Sequence, residues 1–507
     1  MAGIRSLAKE TAVYGLSSII GRFLNWCLVP LYVYIFLPPE YGIVSYLYSF
    51  TAVALVILNY GMETGFFRFA NKKEEDWRRV FSTTLFAVVS TSALFMLLIS
   101  VFIKPISGIL LLSDHPMYVW ILGITVALDA IANIPFALLR FRNKAFRFAG
   151  IKLLNVGLNI FLNLFFLLWC PLIERHAPGA ISWFYPQLGG EGFGIGWIFL
   201  ANFISSLVVL LMLVPQMMEA TSSFDGGLLR RMLRYSWPLL VLGIAGIMSQ
   251  NMGQMIIPYL FPGNPEEARA MVGIYGANIK IAIVMVMFIQ AFRFAYEPFI
   301  FAQNRESGDS KLQAYRDAMK YFIIFALFIF LGVMFYLDII KYFIDKNYFS
   351  GLKVVPVLMM AELFFGIFFN LSLWYKLTDK TVWGMWFSLL GLLVTVVLNV
   401  LFVPRFGYMA CAWAAFASYG TMMLTSYFIG RSKYPIGYDI KGIFSYFVIA
   451  IVLYVTASLV NIEPEWARLL FRTVLLAGYV YIVCRRESIN PLAILRRNRP
   501  VKTPTNK

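Results

Sequence analysis

Long runs of hydrophobic residues recur along the whole chain, and short polar or charged stretches separate them. Each run approaches the length of about 20 residues that an α-helix needs to cross the hydrocarbon core of a bilayer. The pattern therefore predicts an all-α polytopic membrane protein with about fourteen transmembrane helices. Their expected positions are 11–36, 42–66, 81–103, 118–139, 148–171, 193–215, 236–260, 272–296, 320–344, 354–374, 381–403, 408–430, 441–461 and 465–484.

The composition of the chain agrees with this pattern. Of the 507 residues, 60% are hydrophobic and 14% are charged, whereas a soluble domain carries about 25% charged residues. The run from Thr11 to Phe36 is too long for the hydrophobic region of a cleavable signal peptide, so we expect it to form the first membrane helix. The longest connection, 297–320, should include a short amphipathic segment at the membrane surface.

Basic residues concentrate in alternate loops, and this alternation predicts the orientation of the chain. The basic segments are 68–79, 140–152, 230–234, 293–320, 376–380, 431–441 and the tail from Arg485. The intervening loops are short or acidic, so the positive-inside rule places both termini in the cytoplasm. The net charge of +17 then reflects contact with anionic lipid, and we expect no binding of nucleic acid.

Two parts of the chain repeat the same order of features. The first helix carries Gly15, Asn25 and Pro30 before Pro39-Glu40-Tyr41-Gly42, and the seventh carries Gly246, Asn251 and Pro258 before Pro265-Glu266 and Val272-Gly273. We interpret this as a parallel pseudo-repeat of two six-helix lobes. The expected divisions are an N-lobe at 1–215, a cytoplasmic linker at 216–235, a C-lobe at 236–430, two further helices at 431–489 and a basic cytoplasmic tail at 490–507.

Polar and ionisable side chains recur inside the predicted helices, where a charge costs about 2.5–3.5 kcal/mol on insertion scales. They should therefore face a polar cavity or a partner. The candidate ligand-binding cations are Arg22, Arg293, Lys280, Lys152 and Arg68; the candidate coupling or pairing acids are Glu63, Asp129, Glu297 and Glu362; the candidate polar residues of the cavity are Asn25, Asn159, Gln250, Asn251 and Gln290. Because arginine binds oxyanions bidentately and stays charged, such a cavity should hold an anionic ligand.

Many of these residues also have a structural interpretation. Amide side chains commonly join transmembrane helices by hydrogen bonds. Arg68, Arg140 and Lys152 lie near helix ends, where long basic side chains reach the lipid headgroups. Arg22 and Arg293 lie deeper and on polar stripes of their helices, which favours a functional role for these two.

The sequence indicates neither a cofactor nor a metal site. It contains no GxxxxGK[ST] loop for a nucleotide, and the glycine-rich stretch 189–196 has no βαβ context. The four cysteines form no CxxC pair, and the two histidines lie in separate predicted loops. We therefore do not expect an enzyme.

Several segments resemble bacterial polysaccharide transporters. These are Lys9–Asn25, Pro38–Val44, Tyr60–Arg68, Val272–Tyr275 and Gln290–Pro298, which are similar to the O-antigen flippase family of the MATE-like exporter superfamily. The resemblance implies two six-helix lobes that work by alternating access. It also implies transfer of an undecaprenyl-pyrophosphate-linked oligosaccharide to the outer leaflet, with Arg22 and Arg293 binding the pyrophosphate or a charged sugar.

Other functions remain open at this point. A MATE-type exporter of organic cations needs carboxylates in its cavity, and Glu63, Asp129, Glu297 and Glu362 are available. A lipid II flippase would also have fourteen helices and the same two lobes. A membrane glycosyltransferase or polymerase would need a catalytic constellation that the outer loop 172–192 does not offer. The expected partners are the lipid-linked oligosaccharide, membrane lipids and other proteins of the polysaccharide pathway, such as a polymerase.

Overall fold

The computed structural model describes residues 19–177, 179–181, 184–185, 190–221, 224–303, 309–378, 380, 382–460 and 462–488, with the backbone alone at 190–191, 294–295, 297–303 and 309–310. The described residues form long helices joined by short connections, without a strand. The long helices are α1 Ile19–Ile35, α2 Pro38–Ala70, α3 Trp77–Val101, α4 Pro116–Phe141, α5 Ala145–His176, α6 Gly196–Met217, α7 Gly226–Leu260, α8 Pro265–Gln303, α9 Asp309–Phe335, α10 Lys346–Leu377, α11 Val382–Phe406, α12 Tyr408–Lys433, α13 Ile440–Leu459 and α14 Glu465–Arg486.

Twelve of the described helices are long and apolar enough to cross a membrane. The other two are α1, which is described only from Ile19, and α12, whose tyrosine, glycine, serine and threonine residues lower its mean hydropathy. The predicted all-α polytopic membrane fold with about fourteen helices is confirmed. The basic tail predicted at 490–507 lies outside the described residues.

The predicted boundaries around α9 were wrong. This helix ends at Phe335 rather than near residue 344, because a turn at Tyr336 starts a short helix that presents Asp338 to α14. Arg472 Nη1 donates to Asp338 Oδ2 at 2.8 Å, so the carboxylate is paired beside the apolar helix instead of within it. Of the described residues in the predicted surface segment 297–320, those at 297–303 belong to the end of α8 and those at 309–320 to the first turns of α9.

Helix α2 is interrupted near its middle. Tyr60 and Gly61 have φ angles of 29° and 72°, in the left-handed region where glycine is favoured. A Cβ atom on Gly61 would lie 3.1 Å from the carbonyl oxygen of Ser236 on α7, and the Ser236 hydroxyl donates to the Gly61 carbonyl at 3.2 Å. The break is therefore fastened to α7 by close packing and a hydrogen bond.

One compact unit contains α1 to α7, the first part of α8, and α10 to α12, and it spans 1–283 and 343–430. One core of this unit lies where α2, α3, α4 and α7 meet, around the fully buried Met62, Phe66, Phe81, Ile134 and Met232. Close packing of side chains, rather than exclusion of water, holds such helices together in a bilayer.

Contacts within this unit recur six helices apart. Tyr32 on α1 donates from its hydroxyl to Asn163 Oδ1 on α5 at 3.0 Å. Ser249 on α7 and Thr395 on α11 join their hydroxyl groups at 3.2 Å. In the same way α4 packs against α6, and α10 against α12. The recurrence is what a parallel repeat of six helices requires.

A second compact unit comprises 284–342 and 431–507. Its described residues include the second part of α8 and the helices α9, α13 and α14. Glu487, which follows α14, joins three of its elements. Lys320 Nζ on α9 lies 2.5 Å from the Glu487 carboxylate, and the Tyr446 hydroxyl on α13 donates to it at 2.6 Å.

Glu487 gives this unit a pH-dependent stability. Burial alone would raise its pKa, but hydrogen bonds from Lys320 and Tyr446, with the Lys320 charge, hold the pKa of Glu487 below its ordinary value of 4.5. Such a carboxylate stabilises the fold above pH 4.5, and the contribution is lost as the pH falls through the lower folded-state pKa. We expect E487Q to lower Tm at pH 7, with the difference from wild type shrinking below pH 4.5. The control is E463Q, at an exposed position in the same unit. Its Tm, measured by thermal unfolding, should equal that of the wild type at both pH values.

Candidate substrate and coupling site

An ion pair joins α2 to α4 in the first unit. Glu63 lies in the first turn after the break in α2, and Arg140 lies in the last turn of α4. Arg140 Nη2 donates to Glu63 Oε1, and the guanidinium also lies 5.3 Å from the ring centre of Phe67 and 5.6 Å from that of Phe148. About one third of each charged side chain is exposed, at 37% and 32%. Glu63 and Arg140 therefore neutralise each other.

A second acid and base lie next to this pair. Asp129 on α4 accepts a hydrogen bond from Ser206 on α6 and interacts electrostatically with Lys152 on α5. The Lys152 ammonium lies 4.2 Å from the ring centre of Phe136, a favourable cation–π distance. Arg140 and Glu63 also act on Lys152, so the four ionisable groups form one cluster.

We call Glu63, Asp129, Arg140 and Lys152 the charge cluster. Its formal charge is zero, with two carboxylates and two cations. Charges at membrane depth need such partners, and clusters of this kind are often part of ion or proton pathways. The structure thus brings together three predicted site residues and adds Arg140, but it places Lys152 beside an acid rather than alone in an anion-binding pocket.

A chain of hydrogen-bonded polar side chains connects four helices of the same unit. The Tyr32 hydroxyl donates to Asn163, Asn163 donates to Asn159 at 2.7 Å, Asn159 to Asn202, and Asn202 to the Tyr48 hydroxyl. These bonds connect α1, α5, α6 and α2. We call this set the amide chain. It places the predicted cavity residue Asn159 in a network between helices, as the structural interpretation of amide residues expects.

The other predicted residues of the first unit occupy varied surroundings. Arg68 places its guanidinium 3.9 Å from the ring centre of Tyr235 on α7. Arg22 and Asn25 have exposed side chains on α1. Lys280 is partly buried, and its backbone carbonyl accepts a 2.7 Å hydrogen bond from the indole of Trp26.

Three further predicted residues lie on α7 and α10. Gln250 is exposed, whereas Asn251 donates its side-chain amide to the Ile247 carbonyl of its own helix at 2.9 Å. Glu362 is partly buried and interacts electrostatically with Tyr275 and Tyr419. Among the described residues, no group of three His, Cys, Asp or Glu side chains could hold a metal ion.

The remaining predicted residues belong to the second unit. Gln290 is partly buried and Arg293 is exposed, both on α8. Glu297 lies on the same helix, but its side chain is outside the described residues. The role of Glu297 as a coupling or pairing acid stays a prediction.

Arg140 and Asn202 are the main functional candidates that sequence reasoning missed. Arg140 lies near the end of its helix, where contact with the lipid headgroups is one of the expected roles of a long basic side chain. The signal that could have identified it is the acid at similar depth on α2: intramembrane charges of opposite sign tend to pair. Asn202 stands alone on an apolar helix, and nothing in the sequence indicates its partners.

Comparison with known proteins agrees with this architecture. Residues 35–174 match the family described as polysaccharide biosynthesis protein. No curated protein matches the sequence.

Solved structures match almost the whole fold. The lipid II flippase MurJ in an inward closed conformation has a TM-score of 0.68 and 12% identity, over 93% of this chain and 99% of the flippase. An inward-facing MATE multidrug transporter of the MOP superfamily has a TM-score of 0.63 and 14% identity, over 81% of this chain and 94% of the transporter. The MATE multidrug transporter DinF-BH, in a complex with a small molecule, has a TM-score of 0.58 and 14% identity, over 84% of this chain and 96% of that structure.

These matched structures are transporters rather than enzymes. The chain is therefore a multi-pass membrane protein with the fold of the MurJ and MATE transporters, and the match of its residues 35–174 confirms the predicted resemblance to the polysaccharide transporters.

Proposed function

We propose that this protein is a flippase for an undecaprenyl-pyrophosphate-linked oligosaccharide, the repeat unit of an O-antigen, capsule or exopolysaccharide. It would move this lipid from the cytoplasmic to the outer leaflet of the bacterial inner membrane by alternating access, with both termini in the cytoplasm. The observation that carries the proposal is a polysaccharide-biosynthesis family match at 35–174 in a chain that has the fold of a lipid flippase.

In this proposal the lobes 1–215 and 236–430 alternate around the substrate, and 216–235 links them. We assign Arg22 and Arg293 to the anionic part of the substrate. Both side chains are exposed on helices predicted to cross the membrane, and a guanidinium binds phosphate oxygens bidentately.

The charge cluster argues against a MATE-type exporter of organic cations. Such an exporter needs carboxylates that can accept the positive charge of a drug. Here Glu63 contacts Arg140, and Asp129 interacts with Lys152, so both acids already have a cation. Lipid II transport is the nearer alternative, since lipid II is also a polyprenyl pyrophosphate carrying sugars.

Replacing Arg22 or Arg293 by alanine should reduce surface polysaccharide by about tenfold or more, the effect of losing one charge-assisted contact of about 1.5–3 kcal/mol. Lysine in place of either arginine should retain only part of the surface polysaccharide, because an ammonium cannot form the bidentate contact. The measurement is surface polysaccharide in a host that lacks its own flippase, at matched protein levels in the membrane. R405A, at an exposed position on α11, is the control and should behave like the wild type.

Full surface polysaccharide in both alanine variants would show that these arginines do not bind the substrate. Rescue of a host that lacks its lipid II flippase, without rescue of polysaccharide export, would favour the lipid II alternative. Drug resistance in a pump-deficient host would favour the MATE alternative.

A further inference from the structure

Helices α2 and α8 meet backbone to backbone at one glycine from each. A Cβ atom on Gly42 would lie 2.8 Å from the carbonyl carbon of Arg269 and would overlap its oxygen. A Cβ atom on Gly273 would lie 2.9 Å from the carbonyl carbon of Pro38 and would likewise overlap the oxygen. Each glycine thus faces the carbonyl four residues before the other, and neither position has room for a side chain.

These glycines occupy equivalent places in the internal repeat. Gly42 follows Tyr41 and precedes Ile43, while Gly273 follows Val272 and precedes Ile274. Two equivalent positions that contact each other reciprocally must lie at the axis that relates the repeats. Close approach of small residues, with Cα–H groups directed at carbonyl oxygens, is typical of tightly packed membrane helices.

The contact continues as a seam along α2. A Cβ atom on Gly276 would lie 2.9 Å from the Ser45 Cβ. One turn further along, the Ser49 hydroxyl donates to Gln254 Oε1 on α7 at 2.6 Å. The seam residues on α2 are Gly42, Ser45 and Ser49, which face α7 and α8 of the second repeat.

A cavity of about 650 Å³ adjoins the seam. Its lining includes Gly42, Tyr46 and Arg269, together with Asp114 from the connection before α4 and Glu266 from the first turn of α8. The connections before α4 and α8 belong to the short or acidic set, at the end of the helices that is opposite the basic loops. The seam therefore adjoins this cavity, close to the predicted outer surface.

We propose that Gly42 and Gly273 form the closing contact of an outer gate, which must separate to release the substrate and re-form before the next cycle. This inference rests on the proposed function and deepens it. Because the helices touch through their backbones, one added methyl group at either glycine prevents closure. Opening should remain possible, since the open state has no contact at this point.

The test measures the distance between spin labels attached to cysteines at Leu37 and Glu266, both exposed at this end, after replacement of the native cysteines. In purified protein, G42A and G273A should shift most of the distance distribution to longer values. The matched controls are G157A and G246A, because a Cβ atom at these helical glycines meets nothing within 4 Å. Both controls should keep the wild-type distribution.

S49A provides a milder test, since it removes one hydrogen bond across the seam without adding an atom. It should broaden the distribution towards longer distances, and it decides the question if G42A and G273A fail to fold. Unchanged distances in the folded variants would overturn the gate, whatever the polysaccharide assay shows. If G42A and G273A show longer distances but the wild-type protein exports no polysaccharide, the gate is supported and the proposed substrate is refuted.

Discussion

E63Q is expected to destabilise the protein by about 1–2 kcal/mol and to reduce transport. The change keeps the shape of the side chain but leaves Arg140 without its counter-charge in the charge cluster. Removing one partner of a fully buried pair costs about 3–5 kcal/mol, and the partial exposure of both side chains reduces the expected loss. Thermal unfolding in detergent, followed with the flippase assay, measures both effects.

A double-mutant cycle separates the interaction energy of Glu63 with Arg140 from the effects of replacing each residue alone. E63Q/R140Q should recover much of the stability lost in E63Q, because no isolated charge then remains. E74Q, at an exposed position in the α2–α3 connection, should not change Tm. If the losses of stability in the single variants E63Q and R140Q simply add in the double variant, Glu63 and Arg140 do not act as a pair.

N202A is expected to destabilise the first unit by about 1–2 kcal/mol, since it removes the acceptor of the Asn159 side-chain amide and the donor to the Tyr48 hydroxyl. Asn202 is the link of the amide chain that joins α6 to α2 and α5. A single hydrogen bond between membrane helices is worth only about 0.6 kcal/mol on average, so the loss of two is needed for the expected effect. Thermal unfolding in nanodiscs is the measurement.

N251A is the matched control, because the Asn251 amide bonds only to the Ile247 carbonyl of its own helix among the contacts described for it. Its loss of stability should be less than half that of N202A. An equal loss in the two variants would mean that the amide chain does not hold the helices together.

The helices could be predicted from the sequence because a bilayer imposes one requirement on all of them. A run long enough to cross must be apolar, and its backbone must bond within itself. This reasoning located α12 although that helix is not among the twelve that are long and apolar enough to cross a membrane by length and composition. It failed at the end of α9, where Tyr336 turns the chain and Asp338 pairs with Arg472. That boundary depends on a contact with a distant helix.

The individual residues of the candidate site could be predicted from the sequence, but their pairing in space could not. The cost of burying charge identified Glu63, Asp129 and Lys152 individually. Which acid meets which base depends on how α2, α4 and α5 are rotated against one another. The helical period reveals the polar face of each helix but not its neighbour. The pairing with Arg140 therefore required the structure.

The break at Tyr60 and Gly61 divides α2 into two segments with separate tasks. Residues 38–59 supply the seam, while residues 62–70 supply Glu63 and the packed core with α3, α4 and α7. In evolutionary terms, the two segments can diverge independently. Substitutions before the break are limited by the lack of space at Gly42, while those after it are limited by the charge of Glu63 and by the packed core.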